Sequence, residues 1–551
     1  MEGKEKRVVM QNAMSRRGFL GLAGAAMAAA GLGLAGCSEG NGAVASTQVV
    51  GADEIAWDSE TDVAVMGFGG AGASAALQAA LDGAEVQVFE KAPKEFAGGN
   101  STVCEGAAYL VNGNTEGARA VFRRWTAANV TDEEIAGFVS DMEGLVPWLD
   151  SVGVPYTIME LADNPSVGVW GKDDVSEGID KLLMSATFWD SLNSSIDKNE
   201  NILVNYETPV IGLIFDQDTK EVFGVKVLDP DGTERNVKAK KGVVMACGSF
   251  EYNYDMLENY VFEPLFPVYG LGTPYNTGDG LILAQGIGAE IRHCGFPEWG
   301  SFCSLKASEE TGVAVAMQNG FDQFENLIQV NREGRRFVNE TGASQVGSKP
   351  RPTHDKETLA ELDYDGINLE YRNLPFWFVF DSIRCQKPIC SWSSEESHGS
   401  WSGRHKTYTW SNDNRKEIEA GWVLEADTIE ELADKMGVDA TALAKTVNDY
   451  NAACDAKGGD EFGREKSLSP VSAAPFYAVE MTMCFVNVQG GPTRNGDHQV
   501  VDYEGNPIPR LYSAGEFGSI WSRLYHGALN VPEALCGYSA GAHAAALDPW
   551  G

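Results

Sequence analysis

Positive charge is scarce in this 551-residue chain: 42 Lys and Arg stand against 79 Asp and Glu, a formal net charge of −37. A surface that acidic repels phosphate backbones, which argues against nucleic acid as a partner. Histidine is rarer still, at seven. His293, His354, His398, His405, His498 and His543 show no metal-ligand spacing, and no metal is expected. The ten cysteines form no C-x-x-C pair and no C-x-x-C-H haem-attachment motif. Without Cys37 nine remain, an odd number that forbids a full disulfide framework. Cys385 with Cys390, or Cys294 with Cys303, are the spacings that allow a pair, and these four match no common iron–sulfur pattern. Long apolar runs are missing as well. The one near-exception, Leu20 to Leu34, is mostly Ala and Gly, too short and too mild for a stable membrane span.

What is present describes a globular protein. Hydrophobic residues make up 43% and charged residues 22%, which excludes a disordered chain. The length allows two to four domains at roughly 100–200 residues each. The 62 glycines follow no Gly-X-Y period, so they point to tight backbone turns.

The N-terminus reads as an address. Ser15-Arg16-Arg17-Gly18-Phe19-Leu20 opens a twin-arginine signal, and Leu34-Ala35-Gly36-Cys37 resembles a bacterial lipobox whose Cys receives a lipid. The alternative is a plain signal cleaved elsewhere, with Cys37 incidental. The lipobox reading makes residues 1–36 a signal and 37–60 a polar tether. It places the body, lipid-anchored through Cys37, on the extracytoplasmic face of the bacterial cytoplasmic membrane. Twin-arginine export carries folded cargo, which suits a protein that loads a cofactor first.

The body opens with a dinucleotide signature. Thr61–Met66 reads as a buried strand, Gly67-Phe68-Gly69-Gly70-Ala71-Gly72 matches G-x-G-x-x-G, Ala73–Leu81 reads as a helix, and Glu85–Glu90 reads as the next strand, ending in an acid. Gly67 permits the tight turn, Gly69 lets the backbone approach a pyrophosphate, and Gly72 lets helix pack on strand. Glu90 can accept from ribose hydroxyls. A second glycine-rich turn, Gly98-Gly99-Asn100-Ser101, followed by Gly106, suits a longer dinucleotide whose flavin end needs its own cradle.

Further motifs follow in order: Val243–Phe250 as a strand with a small-residue exit, Asn276–Gly280 opening a helix, Ile328–Glu340 as a hairpin, Pro475–Ala478, Leu511–Glu516, and Gly537–Gly541 on a final helix. From Asp62 to Ala546 the series resembles the flavoprotein family of soluble fumarate reductases, urocanate reductases and 3-oxosteroid dehydrogenases. The resemblance implies an α/β protein: a discontinuous Rossmann-type FAD-binding domain (61–295 and 489–551) interrupted by an inserted α+β cap (296–488). It implies noncovalent FAD, held by Gly67, Gly69, Gly70, Ala71, Gly72, Glu90, Gly98, Gly99, Asn100, Ser101, Gly106, Asp279 and Glu516. Val210 would meet the adenine through its backbone. Ala534 and Leu535, read as opening the last helix, would face the flavin pyrimidine edge.

The catalytic positions depart from the fumarate reductases. Where those carry a proton-donating Arg, a carboxylate-clamping Arg and a His ligand, this chain has Ser344, Asn530 and Asn487. A dianion in a desolvated site without counter-charges is costly by several kcal/mol, so fumarate is rejected as substrate. The resemblance to steroid dehydrogenases points instead to Tyr525 and His526 as the groups that move a proton and orient a substrate carbonyl, with Arg332, Arg335 and Glu340 next in line. The expected reaction is reduction of an activated C=C bond in a planar, weakly charged small molecule. Dehydrogenation is the reverse alternative, and a non-catalytic ligand-binding lipoprotein the alternative of another class. Electrons would come from a membrane-bound cytochrome or quinol-linked donor. In the cap, Phe376–Phe380 reads as a buried strand. Trp392, Trp401, Tyr408 and Trp410 lie among polar residues, either as ligand contacts or as a self-contained cluster.

Overall fold

The computed structural model describes residues 48–49, 55–126, 128–161, 178–261, 267–318, 321–341, 360–397, 399–456, 459–465, 467–521 and 529–550. The signal, Cys37, Ser344, His354, His398, Tyr525 and His526 lie outside the described residues.

The strand Ser59–Met66 buries Val63, Ala64, Val65 and Met66 in succession, the pattern of a parallel strand covered on both faces. It runs parallel to Val86–Phe89 on one side and to Glu234–Met245 on the other. Ile202–Asn205 extends the sheet beyond Val86–Phe89. Beyond Glu234–Met245 come Val222–Leu228, Val210–Phe215 and Gln48–Val49. Pro507–Ser513 also pairs in parallel with Val243–Met245, so the end of the chain returns to the centre of the first sheet. The discontinuous Rossmann-type domain expected from the sequence is therefore present.

The helix Gly70–Leu81 is built from Ala, Gly and Leu and buries nearly its whole length. It lies against the final helix, Gly537–Ala545, at backbone distance. A Cβ on Gly541 would fall 2.1 Å from the Ala75 carbonyl oxygen, and one on Gly537 2.6 Å from that of Ala71. Small residues on both helices are what allow this approach.

Between the dinucleotide strands sits a helical excursion. Thr115–Trp125 and Asp132–Val152 pack beside a small sheet of Ala107–Val111, Ile179–Met184 and Thr157–Glu160. Thr131 and Glu134 form a capping box at the start of the longer helix.

The cap is a second sheet organised on one 13-residue strand, Phe476–Val488. Pro297–Ser304, Phe376–Asp381 and Val423–Ala426 pair with it, and Leu327–Val330 pairs with Phe376–Asp381. All six residues of Phe376–Asp381 are buried. Tyr269–Gly270, ahead of the expected boundary, also joins this sheet. Helices Ile429–Met436 and Ala440–Ala456 cover one face. Two adjacent segments connect the domains, with Ile291–Arg292 antiparallel to Gly491–Pro492 and Pro297 opposite Val488.

One local expectation fails. Only Leu327–Val330 of the hairpin is a strand. Asn331 and Arg335 close a turn, and the return arm is held by a side chain: Glu340 Oε1 accepts the Gln329 N–H at 3.0 Å. Glu340 in turn binds Arg336 and Arg464, both buried. A buried ionic anchor thus stands where the second strand of the hairpin was expected.

Candidate active site

Gly67 leaves its strand at φ +95°, and a Cβ there would sit 2.4 Å from the Ala246 carbonyl oxygen. At Gly72 a Cβ would fall 2.0 Å from the Gly67 carbonyl oxygen, so the helix rests directly on the turn. Gly69 differs. A Cβ there would approach nothing nearer than the Gly98 carbonyl oxygen at 3.6 Å, and one on Gly99 would lie 3.7 Å from Gly69 Cα. The two glycine turns therefore face one another across a gap that side chains would fill. Gly70 N–H donates to Ser101 Oγ at 3.0 Å, tying turn to turn. No side chain caps the helix from Gly69, so a helix N-terminus with free N–H groups borders the gap.

Glu90 closes this end. Its two oxygens accept the N–H groups of Phe68 (2.9 Å) and Ala92 (2.7 Å). Burial raises its carboxyl above the ordinary value, against the pull of those two donors. Thr208 N–H donates to the Glu90 carbonyl at 2.8 Å, which brings the segment leading to Val210 alongside. Lys91, which the motif reading passed over, sets its Nζ 2.5 Å from Asp279 Oδ2 and 2.5 Å from Thr277 Oγ1, fixing the start of the helix Asp279–Gly286. Gly106 lies at a close crossing: a Cβ there would lie 2.2 Å from the Ser185 carbonyl oxygen.

At the flavin end, Asn100 Oδ1 accepts the Thr273 N–H at 2.9 Å, and its Nδ2 donates to Glu251 Oε1 at 3.2 Å. Asn487 donates to Glu516, and Gln489 donates to Asn530 Oδ1 at 3.3 Å. Burial pushes Glu251 up to about 7 and Glu516 well above the usual carboxylate range, with the charge of Glu251 adding to the latter. Ala534 and Leu535 need correction: they end the short helix Asn530–Leu535, and the last helix starts at Gly537. Ala534 instead backs Gly515, whose Cβ would come 3.9 Å from Ala534 Cα.

Around this floor runs a buried ionic shell that the motif reading did not foresee. Arg292 meets Glu134 at 2.5 Å, Arg494 meets Glu533 at 3.4 Å, and His498 meets Asp141 at 2.7 Å. Arg494 also donates to the carbonyls of Gly515 and Phe517, locking the turn that carries Glu516. Isolated Arg and Glu residues far apart in sequence carry no periodic signal. The sequence GSFEYN, which holds Glu251, was the one available cue.

Tyr525 and His526 fall outside the described residues, but the segment they occupy is bracketed. Trp521 and Leu529 are both fully buried, packed with Phe122 and Phe138 of the helical excursion. His293 Nδ1 lies 3.1 Å from the Ser519 carbonyl, and burial lowers that His to about 4. Of the reserve acids, Arg332 and Arg335 pair with Glu370 and Glu333 at the surface, while Glu340 is enclosed. The cap aromatics divide. Tyr408 and Trp410 pack on Trp422 and bond Glu417 and Asn414, a self-contained cluster. Trp401 stacks near His405, Phe96 and Tyr275 at the domain boundary. All nine described cysteines are free thiols.

The gap between the glycine turns fits a diphosphate. Glu251 Oε2, Asn487 Oδ1 and Gln489 Oε1 are buried acceptors with no donor among the described residues, which suits a cofactor bearing hydroxyl and imide donors. A two-walled dinucleotide cradle under an inserted cap defines an FAD-dependent oxidoreductase. The chain belongs to the FAD binding domain family, which matches residues 62–530. Digoxin reductase of Eggerthella lenta is 27% identical, with 98% of each chain covered. Vinyl phenol reductase of Lactiplantibacillus plantarum is 27% identical over 88% of this chain and 96% of the relative. The fold is that of 3-ketosteroid Δ1-dehydrogenase from Sterolibacterium denitrificans, with TM-score 0.69 and 19% identity over 89% of this chain and 100% of the other. The protein is an FAD-dependent oxidoreductase of the fumarate reductase family that acts on C=C bonds.

Proposed function

We propose that this protein is an extracytoplasmic reductase of an activated C=C bond in a planar, weakly charged molecule such as an enone or an aryl-conjugated alkene. One observation carries the reading: the floor of the site is neutral or acidic where a dicarboxylate needs cations. Asn487 is committed to Glu516, and Asn530 to Gln489. Arg292 and Arg494 are committed to Glu134 and Glu533. A bound dianion would face Glu251 and Glu516 without a free cation among the described residues, a desolvation cost of several kcal/mol. Digoxin and vinyl phenol, named for the two reductases above, carry no carboxylate.

FAD, when bound, supplies the hydride and is refilled from outside. The chain's own residues do the rest. The glycine turns, Glu90 and the Lys91–Asp279 pair hold the cofactor's ends. The cap excludes water. A general acid must stand by the substrate atom where charge develops, and Tyr525 with His526 is assigned that role. The twin-arginine signal and Cys37 support export and lipid anchoring beside a membrane cytochrome or quinol-linked donor. The test is oxidation of reduced methyl viologen by purified protein against fumarate, enones and vinyl phenols. Turnover with an uncharged alkene and none with fumarate is expected. Fast fumarate turnover refutes the reading.

A further inference from the structure

Where the two segments that join cap to cradle run together, three stretches of backbone lie in contact. Ile291–Arg292 pairs antiparallel with Gly491–Pro492. Just before that pairing, Gly490 (φ +108°) rests on the outgoing segment: a Cβ there would fall 2.5 Å from the Cys294 nitrogen and 2.6 Å from the Arg292 carbonyl oxygen. The same glycines also meet the turn that carries Glu516. The Gly490 carbonyl accepts the Gly518 N–H at 3.1 Å, and a Cβ on Gly491 would fall 2.6 Å from the Gly518 nitrogen. Side chains at these two positions would force the layers apart, which is why glycine stands at both.

His293 spans this glycine layer. Its Nδ1 lies 3.1 Å from the Ser519 carbonyl oxygen and its Nε2 3.1 Å from Asn129 Oδ1, and the Trp521 carbonyl also faces the ring. Trp521 in turn bridges to Thr126, just past the helix Thr115–Trp125. One imidazole therefore joins the outgoing segment, the turn and the helical excursion. Burial, with the charge of Arg292, lowers the ring to about 4, so it is neutral at working pH. A neutral ring has one N–H, and a carbonyl can only accept. Nδ1 therefore carries the hydrogen, and the exposed Asn129 amide turns its NH2 towards Nε2. His293 also holds a left-handed backbone, φ +63°, which His, Asn and Asp tolerate better than most side chains. The other anchors of the turn come from elsewhere: Arg494 holds the Gly515 and Phe517 carbonyls, and Glu533 accepts the Ile520 N–H at 3.3 Å.

We propose that His293 is a positioning residue for FAD binding: by donating Nδ1–H to the Ser519 carbonyl, it pins the outgoing segment across Gly490–Gly491 onto the turn 515–521 and so holds Glu516 in place at the cofactor. The idea rests on the FAD cradle and not on the substrate reading, and its test uses no substrate. Without this donor the turn keeps its Arg494 and Glu533 contacts but loses the clamp on the Ser519 and Trp521 carbonyls. It then opens more often, and FAD, which needs the turn in place, binds more weakly.

The experiment compares His293→Asn with His293→Asp at about pH 8, where an introduced carboxyl beside Arg292 is ionised. The two side chains match in size and in tolerance for left-handed backbone, but only Asn can donate. Hydrogen–deuterium exchange of the FAD-loaded protein is read on a peptide covering 515–521, and FAD affinity by titrating the apo-protein. His293→Asp should exchange there roughly threefold or more faster and bind FAD at least ~5-fold more weakly, the worth of one lost hydrogen bond. The visible circular dichroism of its bound flavin should change as well. His293→Asn should stay within about twofold of wild type in exchange and affinity. Helix Gly70–Leu81 should exchange as in wild type throughout, which separates a local clamp from a general loss of stability. If His293→Asp does not fold, His293→Gln serves instead: its amide extends to the Nε2 position and leaves the Ser519 carbonyl without a donor, so the same losses are expected. Wild-type exchange or wild-type FAD affinity in the variant without the donor, or an Asn variant as impaired as that one, overturns the proposal.

Discussion

The Glu90 carboxylate accepts the Phe68 N–H at 2.9 Å with one oxygen and the Ala92 N–H at 2.7 Å with the other. The acid at the end of the second strand therefore braces the glycine turn from inside, and the proposed ribose contact would use its remaining lone pairs. Glu90→Gln turns one acceptor into a donor aimed at a backbone N–H. We expect FAD affinity to fall at least ~10-fold, with the apo-protein also less stable by about 1–3 kcal/mol. Flavin fluorescence titration and thermal unfolding of the apo form check the two effects separately. A ribose-only role would leave apo stability unchanged.

Gly69→Val separates cofactor binding from folding. The side chain has room to enter the gap, since its Cβ meets nothing closer than 3.6 Å. It then occupies the space between the two glycine turns. The expected result is a folded protein without FAD, its apo melting temperature within a few degrees of wild type. Gly72→Val is the contrast: a Cβ 2.0 Å from the Gly67 carbonyl oxygen disrupts the turn itself, and this variant should not fold. Full flavin content in Gly69→Val would move the pyrophosphate elsewhere.

Glu340 holds both Arg336 and Arg464 inside the cap, and all three side chains are at most 2% exposed. Removing the acid leaves two buried guanidinium groups, with Asp460 as the remaining counter-charge among the described residues. Glu340→Gln should cost about 3–5 kcal/mol, measured by denaturant unfolding. Despite a burial penalty, the two Arg charges hold the Glu340 carboxyl below the usual range. Its stabilisation is therefore present above the ordinary carboxylate pKa and is lost as pH falls through the lowered one. The variant should flatten acid unfolding as well as lower stability near neutrality. An acid limb identical to wild type would contradict this.

The parts legible in the sequence were those with local repetition. Glycine spacing announced the turn at Gly67–Gly72, and an unbroken apolar run announced Phe376–Phe380. The parts missed are long-range. The ion pairs Arg292–Glu134 and Arg494–Glu533 join residues 158 and 39 positions apart, and no pattern of neighbours marks them. The return arm of the hairpin failed for a related reason: what holds it is Glu340, which accepts the Gln329 N–H and binds Arg464 124 positions away, and no local pattern marks that contact. The helix boundary at Ala534–Leu535 slipped because Ala, Leu and Gly run on from one helix into the next, with Cys536 capping both.

The last prediction concerns Tyr525 and His526. Hydride delivery to the β-carbon of an activated alkene builds negative charge on the activating group, so an acid must be close. The described floor offers few. Asn487 and Asn530 are amides engaged with Glu516 and Gln489. Glu340 is locked between two Arg side chains, and Arg332 and Arg335 are at the surface. His293 is held by the Ser519 carbonyl, and burial lowers it to about 4, which leaves it neutral at working pH. Trp521 and Leu529, the described residues on either side of the segment that holds Tyr525 and His526, are both fully buried. Tyr525→Phe removes only a hydroxyl, and His526→Ala only the imidazole. At least one should lower turnover by ~10²-fold or more at unchanged FAD content. If His526 is the acid, the wild-type rate falls at high pH with imidazolium deprotonation and His526→Ala lacks that fall; if Tyr525 is, His526→Ala leaves the shape of the pH profile unchanged. Near-wild-type turnover in both variants would overturn the assignment of the acid to this pair.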